Sequence, residues 1–86
     1  MDYSILDAGG FMRLRIRDLR EDADLTQQAV ADFLHCDQSL YSKYERGERA
    51  LPLEAAEHLA DFYHTSVDYL LGLTDERRPY PPPKRR

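Results

Sequence analysis

Residues 25–49 read LTQQAVADFLHCDQSLYSKYERGER, and the way this stretch divides decides the fold. Leu25, Ala29, Val30, Phe33 and Leu34 recur three and four apart, the spacing of a helix with one covered face. Thr26 stands at the start of that stripe, where a short hydroxyl can accept a free amide hydrogen of a first helical turn. The stripe stops near His35. Asp37 offers a second cap of the same kind, and Leu40, Tyr41 and Tyr44 supply a new apolar side. Gly47 then suits the left-handed position that ends a helix. Two helices therefore flank the short connection His35-Cys36-Asp37. On the second of them Gln38, Ser39, Ser42, Lys43 and Arg46 face away from the apolar side.

The same periodicity runs outward in both directions. In FMRLRIRDLRED, Met12, Ile16 and Leu19 lie on one stripe that continues to Ala23, with Arg13, Arg17 and Arg20 among acids on the rest, which predicts a helix from about residue 11 to 22. LPLEAAEHLADFYH opens on Pro52, tolerated in a first helical turn, and sets Leu53, Ala56, Leu59, Ala60 and Tyr63 on one face. TSVDYLLG predicts a last short helix, capped by Thr65 or Ser66 and stopped at Gly72. No segment alternates long enough to make a strand. The expectation is an all-α, compact five-helix bundle over residues 11–73, preceded by an arm at 1–10 and followed by TDERRPYPPPKRR at 74–86. That Pro-rich basic tail cannot be helical and is expected to sample polyproline II and disorder. It reads either as a solubility tail or as a basic arm that adds phosphate contacts.

Eighty-six residues make one small domain with a thin core. No apolar run approaches the ~18 residues of a membrane span, and the N-terminus has no basic region followed by an apolar stretch; a cytoplasmic location is the expectation. The single cysteine, Cys36, excludes an internal disulfide and a cysteine zinc cluster, and it reads as a turn residue. His58 and His64 do not share a helical face, so no metal pair is expected. No nucleophile has a catalytic partner at readable spacing, so neither an enzyme nor a cofactor is expected. Tyr41, Tyr44, Tyr63 and Tyr69 fall at core positions, which argues against a stacking platform for single strands.

The chain is acidic, with net charge −4, but the charge is uneven. Residues 37–50 hold three basic and three acidic side chains, residues 51–76 hold six acids and no Lys or Arg, and residues 77–86 hold five basic residues. The acids gather on the last two helices. The outward face of the third helix is not acidic, and local field rather than net charge decides what it can approach.

A short helix, a tight turn and a second helix are the outline of a helix-turn-helix. Gln can pair with adenine, Lys can donate to guanine and Ser can serve several base edges. Leu25-Thr26-Gln27, Ala31, Gln38-Ser39 and Tyr44-Glu45-Arg46-Gly47 stand in register, and with them the chain resembles the phage repressor and Cro family, the Xre-like bacterial regulators with a lambda-repressor-like fold. The resemblance covers roughly residues 12–75, because residues 51–75 are similar to that family's last two helices.

The resemblance implies roles. Gln27 would bond a phosphate and brace the first residue of the third helix. Gln38, Ser39 and Lys43 fall where the family reads bases, and Ser42 shares their face. Arg46 and Arg49 fall where the family contacts the DNA backbone. Arg20 and Glu45 match a pair that forms a partly buried salt bridge in relatives. His35 departs from the Gly usual at the turn, Tyr41 is bulkier than the usual Ile, and Leu40 replaces a small polar residue, to touch a thymine methyl or to pack inward.

The expected function is a sequence-specific regulator of transcription, a repressor, that binds double-stranded operator DNA as a homodimer on half-sites ~34 Å apart. Tyr69 and Leu73 are the expected dimer contact. The rival expectation is a protein-interaction module, an antitoxin-like partner or adaptor, that uses the acidic C-terminal helices.

Overall fold

The computed structural model describes residues 14–81. The arm at 1–10, Met12 and Arg13, and the last five residues of the tail lie outside the described residues. Among the described residues are five α-helices and no strand: α1 (Ile16–Asp22), α2 (Gln27–Leu34), α3 (Gln38–Arg46), α4 (Leu53–Phe62) and α5 (Val67–Leu70).

Three helices start on the side-chain caps that their sequences offer. Thr26 Oγ1 accepts from Ala29 N at 3.0 Å, Asp37 Oδ1 from Leu40 N at 2.8 Å, and Ser66 Oγ from Tyr69 N at 3.0 Å. Each satisfies an amide that the helix itself cannot. Of the two candidates before α5, Ser66 is the cap, while the Thr65 hydroxyl donates to Arg77 O at 2.6 Å. Pro52 precedes α4 in an extended conformation instead of entering its first turn. Among the described residues the first helix begins at Ile16; Leu14 and Arg15, expected within it, are not helical, and Arg15 N donates to Leu70 O at 2.9 Å. The chain is tied to the end of α5 before it coils.

All five helices end in the same way. A residue with positive φ follows each one: Asp24 (58°), His35 (60°), Gly47 (76°), His64 (56°) and Gly72 (78°). At the end of α2, His35 N donates to Asp32 O and Cys36 N to Ala31 O; at the end of α3, Gly47 N donates to Tyr44 O and Glu48 N to Lys43 O. This paired closure satisfies carbonyls left open at a helix C-terminus. Only two of the five left-handed positions are Gly, so three helix ends carry no glycine mark in the sequence.

The core is one cluster at the centre of the five helices. Ile16 and Leu19 of α1, Val30 of α2, Tyr41 of α3, Leu59 of α4 and Leu70 of α5 are all at most 2% exposed. Burial of each aliphatic side chain contributes about 1.5–3 kcal/mol. α2 packs on α3, and α4 on α5. Ala23, expected on the core stripe, follows α1 and is exposed. Residues 74–80 return along the body. Arg15 Nη1 donates to Thr74 O at 2.8 Å, Arg15 Nη2 meets Asp75 Oδ1 at 2.7 Å, and Tyr80 donates its hydroxyl to Asp68.

Candidate nucleic-acid interface

On a helix that advances about 100° per residue, Gln38, Ser42, Arg46, Ser39 and Lys43 fall within an arc of about 140°. Tyr41 and Tyr44 occupy the opposite side, where they are buried with their rings edge to face at 6.5 Å. They hold α3 down by that side and leave the arc directed outward. The hydrophobic pattern of α3 alone sets this orientation.

A chain of polar contacts positions the start of the arc. Arg20 Nε donates to Glu45 Oε2 at 2.6 Å and Arg20 Nη2 to Glu45 Oε1 at 3.2 Å. Arg20 Nη1 donates to Leu25 O at 2.9 Å. Gln27 Nε2 donates to Glu45 Oε1 at 3.0 Å, and Gln38 Nε2 donates to Gln27 Oε1 at 3.3 Å. The first helix, the end of α3, the start of α2 and the first residue of α3 are thereby joined side chain to side chain. The Glu45 side chain is only 3% exposed. Burial alone would raise the pKa of its carboxyl, but the hydrogen bonds from Arg20 and Gln27 outweigh that and hold it below the ordinary carboxylate value.

The other outward residues differ in what they have left to offer. Ser39 donates its hydroxyl hydrogen to Asp37 Oδ1 at 3.0 Å, so its lone pairs face outward as acceptors. Ser42 Oγ accepts from Arg46 Nη1. Arg46 also donates through Nε to Glu48 Oε2 at 2.7 Å and through Nη2 to Glu48 Oε1 at 3.0 Å. Lys43 and Arg49 make no ion pair among the described residues, so their charges are available. Tyr69 lies half-buried under the Arg15 guanidinium, 4.1 Å above its ring centroid, whereas Leu73 is 64% exposed.

Sequence reasoning overlooked two residues of this surface. Glu48 returns to Arg46 because the left-handed turn at Gly47 reverses the chain, and the alternating charges of ERGER were the available signal. Arg15 joins α1 to Tyr69, Thr74 and Asp75, a contact across the domain that no local pattern announces. Among the described residues no group of His, Cys, Asp or Glu is arranged to hold a metal ion. No helix there is long and apolar enough to cross a membrane.

The family model described as a helix-turn-helix domain matches residues 12–78. The chain belongs to the helix-turn-helix domain family. It is 40% identical over 65 residues to the HTH-type transcriptional regulator YobD of Bacillus subtilis (strain 168), covering 76% of this chain and 58% of that one. It is 37% identical over 67 residues to the HTH-type transcriptional regulator AnsR of the same strain, covering 78% and 58%. With the cryptic phage CTXphi transcriptional repressor RstR of Vibrio cholerae it shares 39% identity over 58 residues, 67% of this chain and 52% of that one. The chain spans about half the length of the curated relatives it matches. No solved structure matches it. Within the helix-turn-helix, α2 is the first helix, His35-Cys36-Asp37 the turn and α3 the second helix. The second helix of this motif is the one that enters the major groove of DNA, and here it is the helix with the outward polar arc.

Proposed function

We propose that the protein is a sequence-specific, double-stranded DNA-binding regulator of transcription, a repressor, that reads the major groove with α3. The outward arc of α3 carries this reading: Gln38, Ser39, Ser42 and Lys43 are presented on one side, and Gln38 is braced through Gln27 to the buried Arg20–Glu45 pair. Gln38 keeps its amide oxygen free, and Lys43 its ammonium, to meet base edges. Gln27 and Arg49 flank the arc and Arg46 lies within it; all three are assigned to phosphates, Arg46 only where its pair with Glu48 opens. The acids of α4 and α5 lie outside the arc, so the acidic total does not oppose this approach. The repressor assignment rests on the name of the phage relative RstR. In this reading the protein works in the cytoplasm of a bacterial cell, as a homodimer on two half-sites ~34 Å apart. Leu73 supplies the exposed apolar contact between copies, and Tyr69 stacks beneath Arg15 at the edge of that contact.

Fluorescence anisotropy tests the DNA reading, with labelled DNA from upstream of the gene, selected duplexes from a random library, and a scrambled competitor. Gln38→Ala and Lys43→Ala are each expected to lose about five- to 150-fold of the preference for the selected duplex, as when one base contact of about 1–3 kcal/mol is removed. Equal binding of selected and scrambled duplexes by the wild type would refute the reading. For the dimer, Leu73→Asp is expected to shift the sedimentation of the free protein to the monomer; an unchanged dimer would place the contact elsewhere.

A second reading, a protein-interaction module, draws on Phe33 and Phe62, which are 40% and 41% exposed with ring centroids 4.7 Å apart. They stand beside the acidic α4. If that reading holds, charge reversal at Glu54, Glu57 and Asp61 abolishes function while Gln38→Ala and Lys43→Ala do not.

A further inference from the structure

Arg46 occupies the middle of the outward arc of α3, between Ser42 and Ser39 in angular order. In this structure three of its five N–H donors are nevertheless engaged by neighbours on its own chain, at the half-exposed surface. Nη1 meets the Ser42 hydroxyl, and Nε and Nη2 meet the two oxygens of Glu48 at 2.7 and 3.0 Å. The guanidinium has a forked geometry that matches a carboxylate or a phosphate equally well, and while Glu48 holds the Nε/Nη2 edge, that edge cannot grip a phosphate as well.

The position of Glu48 is not accidental to a flexible loop. Gly47, at φ 76°, turns the chain back, and Glu48 N donates to Lys43 O at 2.9 Å. The backbone of Glu48 is fixed as the last element of the α3 closure. Its side chain therefore starts beside α3, where it stays half exposed. Lys43 also lies close enough to draw the Glu48 carboxyl below its ordinary pKa, after the larger effect of the hydrogen bond from Arg46. One carboxylate thus stands against two cations of the reading face.

We infer that Glu48 is a specificity-determining residue: it withholds Arg46 from phosphates and opposes phosphate approach, and so suppresses sequence-independent binding to DNA. This rests on the DNA-binding reading above. A non-specific complex is held by phosphate contacts alone, so one contact fewer is a large fraction of its strength, whereas a complex with base contacts retains the rest. The Ser42 hydroxyl is part of the same device. While it accepts from Arg46 its own hydrogen is available to a base acceptor, so the pair keeps Ser42 oriented for reading.

The test uses the full chain and a random-sequence duplex, with affinity measured across a salt series. Four proteins are compared: wild type, Glu48→Gln, Glu48→Gln with Arg46→Gln, and Asp61→Asn, which removes one unit of negative charge from α4. Glu48→Gln is expected to bind the random duplex about five-fold more tightly at low salt, with a slope of log affinity against log salt steeper by about one phosphate contact. The added Arg46→Gln change is expected to return both to near the wild-type values, and Asp61→Asn to leave both unchanged. Circular dichroism confirms that all four are folded.

An equal gain from Asp61→Asn would assign the effect to total charge and overturn the inference. So would a Glu48→Gln protein that binds like a wild type whose affinity is itself salt-dependent; in that case the DNA-binding reading stands and only the role of Glu48 falls. A wild type that binds no duplex even at low salt, with library selection also empty, overturns the DNA-binding reading and the inference with it.

Discussion

Replacing Glu45 with Ala is expected to cost about 3–5 kcal/mol, close to half of the roughly 5–10 kcal/mol that holds a domain of this size. The cost comes from what is left behind. Arg20 is 12% exposed at its side chain and Glu45 only 3%, so removing the carboxylate strands a guanidinium that water cannot reach freely. Arg20→Ala is expected to be as severe for the mirror reason. Arg20→Met with Glu45→Leu should be less destabilised than either single change, because it removes both charges and fills the space. Urea denaturation of the wild type, the two Ala variants and the double Ala variant measures the coupling, and single-variant costs that simply add would show that the pair is not acting as a unit.

The same pair sets a dependence on pH. The Glu45 carboxyl is held below the unfolded value of about 4.3. Its contribution is whole above that pH and is lost as pH falls through the lowered folded value. Wild-type stability should therefore decline on acidification below about pH 4, and the Glu45→Gln protein should lack that part of the decline. The loss would also reach the proposed reading face, since Gln27 would lose the acceptor that holds it against Gln38.

The second large effect is a gain. Asp24, His35 and His64 are exposed residues in left-handed backbone, where a side chain costs about 1–2 kcal/mol and Gly costs nothing. Gly loses about 0.5–1 kcal/mol of that advantage through the freedom of the unfolded chain. The triple variant Asp24→Gly, His35→Gly and His64→Gly should then gain about 2 kcal/mol, with His35 and His64 giving more than Asp24, because Asp tolerates this conformation better. For a domain of 60–100 residues that raises Tm by about 8–16 °C. Gly47→Ala, in contrast, should lower Tm, because it puts a side chain where none is now. A triple variant that melts with the wild type would mean that the three backbones relax at little cost.

The helix starts were legible because their determinants are local. Thr26, Asp37 and Ser66 cap the turns that follow them, and the apolar stripes of α2 to α5 lie within single helices. The end of α1 at Asp22 agrees with the predicted one, but the left-handed turns at Asp24 and His64 were not legible, because a left-handed residue other than Gly leaves no compositional trace. That Leu14 and Arg15 stand outside α1 was not legible, because Arg15 N answers to Leu70 O, near the other end of the domain. At the site, the outward arc followed from the spacing of Tyr41 and Tyr44. The pairing of Arg46 with Glu48 did not, because it depends on where the turn at Gly47 sends the next side chain.

Arg15 joins the entry of the helical domain to Thr74, 59 residues later. A ring of that size costs little more to close than one half as long, about 0.6 kcal/mol for the doubling. In mechanical language the segment at Thr74–Asp75 is a handle on α1. Tension applied to the tail is borne first where Tyr80 meets Asp68 and Arg77 O meets Thr65, and only after those contacts yield does it reach Arg15 and the helix that carries Arg20. Leu14 and Thr74 leave the helices beside one another, so a load on one segment is felt at the other.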